Sequence, residues 1–120
     1  MIDIINILMA LATIAFGAAG WLAPDWTMKK VSLADTGTTM GKSEVRAASG
    51  ALFVVAGLGA ILLGGPIAYV MLGCIWLGGA LGRATSLVLD GTTTRKWGFF
   101  GTEIVFGILL IWMNMAVAAA

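Results

Sequence analysis

Four apolar stretches alternate with shorter polar ones along this chain. Residues 4–23, 44–64, 66–89 and 98–117 are each about 20 residues long or longer, enough for a helix rising about 1.5 Å per residue to cross a hydrocarbon layer about 30 Å thick. Inside such a layer every backbone N–H and C=O must be bonded within its own segment, so each stretch is predicted to be a spanning helix. Gly64-Gly65-Pro66 separates the second from the third. Glycine admits positive φ and proline suits a first helical turn, so this is predicted to be a tight turn in an antiparallel hairpin. No basic residue precedes the first stretch, which is also too long for the apolar part of a cleavable leader; it is expected to be a true span. The fold expected is an all-α integral membrane bundle of four transmembrane helices, one domain over residues 1–120.

The distribution of charge adds an orientation. The seven Lys and Arg residues fall in two places. Lys29, Lys30, Lys42 and Arg46 lie between the first two stretches or open the second. Arg83, Arg95 and Lys96 lie at or between the last two. The loops that hold them share one side of the membrane, and the positive-inside tendency assigns that side to the cytoplasm. Both termini and the Gly-Gly-Pro turn are then expected outside. Trp21, Trp26 and Trp97 flank the cytoplasmic helix ends and Trp112 lies near the opposite interface, where amphipathic indoles belong. Trp76 falls near mid-membrane, where its N–H needs a partner. Within the first loop, Asp35-Thr36-Gly37-Thr38-Thr39 has turn chemistry. Trp26, Met28, Val31 and Leu33 suggest a short amphipathic stretch lying at the interface.

Composition narrows the function classes. The chain has 120 residues, 60% hydrophobic and 11% charged, against about 25% charged in a soluble domain. A net charge of +1 makes no case for nucleic acid. There is no histidine and a single cysteine, Cys74, so the usual general base and the commonest metal ligand are missing. No phosphate-cradling loop, zinc spacing or nucleophile elbow is present. Thr85 and Ser86 have no histidine to activate them. No metal, no cofactor and no enzymatic activity are expected; a membrane-embedded enzyme of the isomerase type ranks third among the readings.

Two features remain for binding. Small residues recur every fourth position, at Ala56, Ala60 and Gly64 on the second helix and at Cys74, Gly78 and Gly82 on the third; such stripes let helix backbones approach closely. Ionisable residues also lie at membrane depth. Arg83 is about 17 residues past Pro66, roughly 25 Å along the helix, and Glu103 is roughly 8 Å into the fourth. Their levels match, and an isolated charge there is costly, so the two are expected to pair. Glu44 and Arg46 open the second helix at a comparable level. A layer of Glu44, Arg46, Arg83 and Glu103 is therefore expected between helices two, three and four, with Trp76, Ser86 and Asp90 as supporting residues. It is expected to serve as an ion-pair clasp for helix register, as a binding site for an anionic head group or small polar ligand or, third, as a proton-transfer or catalytic site. Asp90-Gly91 is expected to end the third helix, with Gly91 in the left-handed conformation and Arg95 or Lys96 beside the aspartate.

The same residues resemble a known family. Glu44-x-Arg46-Ala47-x-x-Gly50 opens the second helix, Gly82-Arg83-x-x-Ser86-Leu87-x-x-Asp90-Gly91 closes the third, Glu103 lies in the fourth and Pro24 follows the first. With these the chain resembles, over nearly its whole length, the small bacterial four-helix membrane family catalogued as domain of unknown function 4345. The resemblance implies four spans, a bacterial envelope setting and no assigned activity. The leading expectation is a non-catalytic multi-pass protein of the inner membrane that packs with itself or with a larger membrane complex. The alternative is a binder or carrier of membrane lipid or a small amphiphile at the charged layer.

Overall fold

A computed structural model describes residues 1–120. It is all-helical, with 86% of residues in helices and no strands. The elements are α1 (Ile2–Leu22), α2 (Pro24–Lys30), α3 (Met40–Arg46), a π-helical turn (Ala47–Ala51), α4 (Leu52–Leu63), α5 (Gly65–Leu89) and α6 (Thr94–Ala119). Because α3, the π turn and α4 run on without a break, four helices are long and apolar enough to cross a membrane: Ile2–Leu22, Met40–Leu63, Gly65–Leu89 and Thr94–Ala119. Each begins before the apolar stretch that announced it. Hydropathy marks only the greasy part of a helix, whereas backbone hydrogen bonding continues into polar turns. At α6, for example, the Thr93 side chain accepts the Lys96 N–H at 3.1 Å and caps the first turn.

Burial is distributed as lipid demands. Asn6, Thr13, Glu103 and Asn114 are buried, while Leu62, Leu63, Leu81 and Val88 stand largely exposed. Water would penalise so wide an apolar surface; hydrocarbon does not, and it drives the polar groups inward to find partners.

The chain forms two compact units, Ile7–Leu62 and Met1–Asn6 with Leu63–Ala120. In the first unit, α1 lies against the π turn and α4 through glycines. A Cβ on Gly17 would come within 2.7 Å of the Gly50 carbonyl oxygen and the Val54 nitrogen, and one on Gly57 within 2.8 Å of the Ala10 carbonyl oxygen. Gly50 itself departs from helical geometry, with φ −126° and ψ −108°. That extra residue in the turn brings its backbone against the Gly20–Trp21 peptide. Of the small residues expected to form a stripe here, Ala60 is buried, but Gly64 lies beyond α4 with φ +63°. Gly57, one residue from Ala56, makes the close approach instead.

The amphipathic stretch in the first loop is shorter than its hydrophobic pattern suggested. Pro24 opens α2, and Pro24 and Met28 are buried. The helix then stops in a paired closure: Ser32 N–H donates to the Lys29 carbonyl at 3.3 Å and Leu33 N–H to the Met28 carbonyl at 2.8 Å. Ser32 takes the left-handed position, φ +60°, that glycine usually fills in this motif. Leu33 is left exposed. Lys42 ties α3 to α2 through an ion pair with Asp25 at 2.9 Å. The hydrogen bond and charge of Lys42 hold the Asp25 carboxyl below the usual carboxylate range. The clasp is therefore present above that range and is released as pH falls through the lowered value.

In the second unit, α5 and α6 form an antiparallel hairpin. Gly73 of α5 meets Gly107, Leu110 and Ile111 of α6, and Gly79 meets Glu103. The turn between them uses Gly91 at φ +85° after Asp90. Leu72, Trp76, Ala80 and Leu110 form the buried seam. At its far end Asn6 and Asn114 exchange amide hydrogen bonds, Asn6 Nδ2 to Asn114 Oδ1 at 2.7 Å and Asn114 Nδ2 to Asn6 Oδ1 at 2.8 Å. Asn114 Nδ2 also donates to the Leu110 carbonyl at 2.8 Å. Without Asn114, Asn6 would lose both bonds of the exchange; without Asn6, Asn114 would keep its bond to the Leu110 carbonyl and lose the other two. Asn6→Leu and Asn114→Leu are each expected to cost about 1–2 kcal/mol, and the double variant less than the sum, with a coupling of about 1 kcal/mol. Equilibrium unfolding of the four proteins in detergent measures it; strict additivity would mean the pair contributes nothing as a pair.

Candidate functional site

A charged pair occupies the seam between α5 and α6, and the helices set it up by register. Arg83 lies six residues before the end of α5 and Glu103 nine residues after the start of α6, so the hairpin brings them level. Arg83 Nε donates to Glu103 Oε1 at 3.0 Å and Nη2 donates to the same oxygen at 2.9 Å. The guanidinium lies 5.2 Å from the centre of the Phe99 ring, a cation–π contact on one face. The two side chains differ in access: Glu103 is 9% exposed, Arg83 37%.

The geometry is lopsided. A guanidinium and a carboxylate can meet through two parallel hydrogen bonds, one to each oxygen. Here both donors converge on Oε1, and Oε2 is buried without a hydrogen-bond partner. It packs against Gly79, so closely that a Cβ there would stand 2.6 Å from it. Gly79 itself is exposed. The pair thus keeps one unused acceptor beside Gly79, and neither contact engages Arg83 Nη1.

The other anticipated site residues have different surroundings. Arg46 belongs to the first unit, where Nη1 donates to the Trp21 carbonyl at 2.6 Å. It neutralises a terminal carbonyl of α1, the place where a cation is favoured by the helix dipole. Glu44 is exposed on α3. Trp76 is buried beside Phe106, ring centroids 4.7 Å apart, and contributes apolar packing below the pair. The Ser86 carbonyl accepts the Asp90 N–H at 2.8 Å, and Thr85 donates back to the Leu81 carbonyl at 2.9 Å, the local bond such hydroxyls usually make in helices. Asp90 is exposed at the end of α5. Lys96, expected beside it, instead donates from Nζ to the Gly91 carbonyl at 2.8 Å, because the left-handed turn at Gly91 presents that oxygen to the first turn of α6. No three His, Cys, Asp or Glu side chains gather as metal ligands would.

Sequence reasoning passed over Asn6, Asn114 and Thr13. Their signal was present: each is a hydrogen-bonding side chain in an otherwise apolar run, and such residues turn inward in a membrane helix. It also passed over Gly79, which no pattern marked out.

An all-helical chain with four membrane-length apolar helices, polar side chains within and apolar ones without, is a multi-pass membrane protein. The sequence model of one family, described as Domain of unknown function (DUF4345), matches residues 1–114, and the chain belongs to that family. No curated protein and no solved structure matches it.

Proposed function

We propose that this protein is a non-catalytic membrane component that acts by packing against a second copy of itself along α5. One observation carries the reading. Where α1 meets the π turn and α4, and where α5 meets α6, glycines let the helices close: Gly17, Gly20, Gly50 and Gly57 in one unit, Gly73 and Gly107 in the other. The small residues Cys74, Gly78 and Gly82, four apart on α5, face outward, and nothing stands within 4 Å of a Cβ placed on Gly78 or Gly82. Small residues four apart on a lipid-facing surface suit close helix association.

Cys74 is the sole cysteine and lies exposed on that stripe, so it reports directly. Mild oxidation in native membranes is expected to give a Cys74-linked dimer, and Gly78→Ile should reduce it about tenfold by holding the helices apart. Native mass spectrometry from gentle detergent should show the same dimer. A monomer with no cross-link overturns the reading, and so does a stoichiometric second protein, which would point to a larger complex.

We further propose a bacterial inner-membrane location with both long loops in the cytoplasm, supported by the confinement of all Lys and Arg to those loops and the helix ends beside them. In a Cys74→Ser background, an impermeant thiol reagent applied to intact cells should label Leu63→Cys beside the Gly-Gly-Pro turn and spare Thr38→Cys. The opposite pattern reverses the orientation.

A second reading, retention of a membrane lipid or small amphiphile at the charged pair, is favoured by the unpartnered Oε2 of Glu103.

A further inference from the structure

The geometry of the Arg83–Glu103 pair points to the head group of a zwitterionic phospholipid that carries a primary ammonium. This inference rests on the second reading and names its ligand class. Three features converge. First, Arg83 is held from within by a single carboxylate oxygen, while its side chain stays more than a third exposed and Nη1 is not engaged by that carboxylate. A guanidinium open on one edge near the end of a spanning helix is a donor for a phosphate oxygen. Second, Oε2 of Glu103 is a buried acceptor with no donor, which is costly in a low-dielectric seam. A donor supplied by the ligand removes that cost. Third, Oε2 abuts exposed Gly79, where no side chain bars an approach.

Charge chooses among head groups. Arg83 and Glu103 already sum to zero. An anionic phosphodiester such as phosphatidylglycerol would leave the site at −1, an uncompensated charge in a poor dielectric. A phosphodiester that brings its own ammonium leaves it neutral. The ammonium must also donate an N–H to Oε2 and fit beside a glycine. A primary ammonium does both; a trimethylated one has no N–H and is too broad. Phosphate on Arg83 and ammonium on Glu103 is thus the arrangement that satisfies both unused edges. The pair lies between two helices long and apolar enough to span a membrane, so the occupant is a lipid rather than a soluble phosphate.

The test is lipid retention by the intact protein, delipidated in mild detergent and then offered phosphatidylethanolamine, phosphatidylcholine and phosphatidylglycerol of identical acyl chains, read by native mass spectrometry. Phosphatidylethanolamine should be retained about tenfold over each of the others, the scale of one charge-assisted hydrogen bond. Soluble glycerophosphoethanolamine should compete weakly. Glu103→Gln makes the site net positive, so its preference should pass to phosphatidylglycerol; Arg83→Gln should lose retention of all three. Gly79→Ala, which keeps both charges but drives a methyl into Oε2, should abolish the preference for the ethanolamine lipid. If wild-type protein retains all three lipids alike or favours phosphatidylcholine or phosphatidylglycerol, the head-group inference fails while lipid binding stands. Equal competition by the soluble head group overturns the lipid as source. If no lipid is retained, the second reading fails with it. The wild-type comparison decides the matter even where a variant does not fold.

Discussion

Arg83→Ala is expected to lower the unfolding free energy by about 3 kcal/mol, the low end for breaking a buried ion pair from one side, because Arg83 is partly exposed and the partner left behind is not. Glu103 would be stranded in the α5–α6 seam with both oxygens unpartnered. Glu103→Gln should cost less, about 1 kcal/mol, since an amide oxygen at the Oε1 position still accepts from Nε and Nη2, and the guanidinium can extend its open edge toward the head groups. Reversible unfolding in mixed micelles, followed by helical circular dichroism, measures both. If Glu103→Gln proves the more damaging change, the carboxylate charge matters more than the hydrogen bonds it receives, and the account of the pair must be redrawn.

The second large effect concerns the crossing of α1 with the π turn. Gly20→Ala should destabilise the protein by about 2–3 kcal/mol, the upper range for an overpacked contact. The added methyl falls within the Ser49 carbonyl group, and backbone cannot swing aside as a side-chain tip can. Gly50→Ala meets the same obstacle from the other side, 2.7 Å from the Trp21 nitrogen, and should cost a similar amount. Gly78→Ala is the internal control. Nothing lies within 4 Å of its Cβ, so the monomer should keep its stability to within about 0.5 kcal/mol. The same unfolding experiment, run dilute enough to keep the protein monomeric, separates the three. A Gly20→Ala protein as stable as Gly78→Ala would mean that α1 can draw away from the turn at little cost.

The contrast between those glycines shows where reading along the chain stops. Seventeen glycines are spread through the sequence, and spacing alone picked out the outward stripe at Gly78 and Gly82 while missing Gly17, Gly20, Gly57, Gly73 and Gly107. A spacing of four says that residues share a helix face. It does not say which way the face turns, because in a helix apolar on all sides no hydrophobic asymmetry distinguishes lipid from neighbour. The few polar side chains carried that information better. Asn6, Glu103 and Asn114 mark the inner faces of their helices, since each needs a hydrogen-bonding partner that lipid lacks, whereas buried Thr13 bonds back to the Met9 carbonyl of its own helix.

Number and length of spans, the turn at Gly64-Gly65, the stop at Gly91 and the meeting of Arg83 with Glu103 were all legible in the sequence. Each depends on local quantities: transfer of side chains into hydrocarbon, backbone bonds closed within one segment, the φ a residue tolerates, and the rise per residue that sets depth. The π turn at Ala47–Ala51, the diversion of Arg46 to the Trp21 carbonyl and of Lys96 to Gly91, the Asn6–Asn114 exchange and the convergence of both Arg83 donors on one oxygen were decided by tertiary structure. These depend on the rotation of each helix about its own axis. That rotation is set by which surfaces pack most closely once two helices meet, and in an apolar chain the competing rotations differ by contacts that no single segment contains.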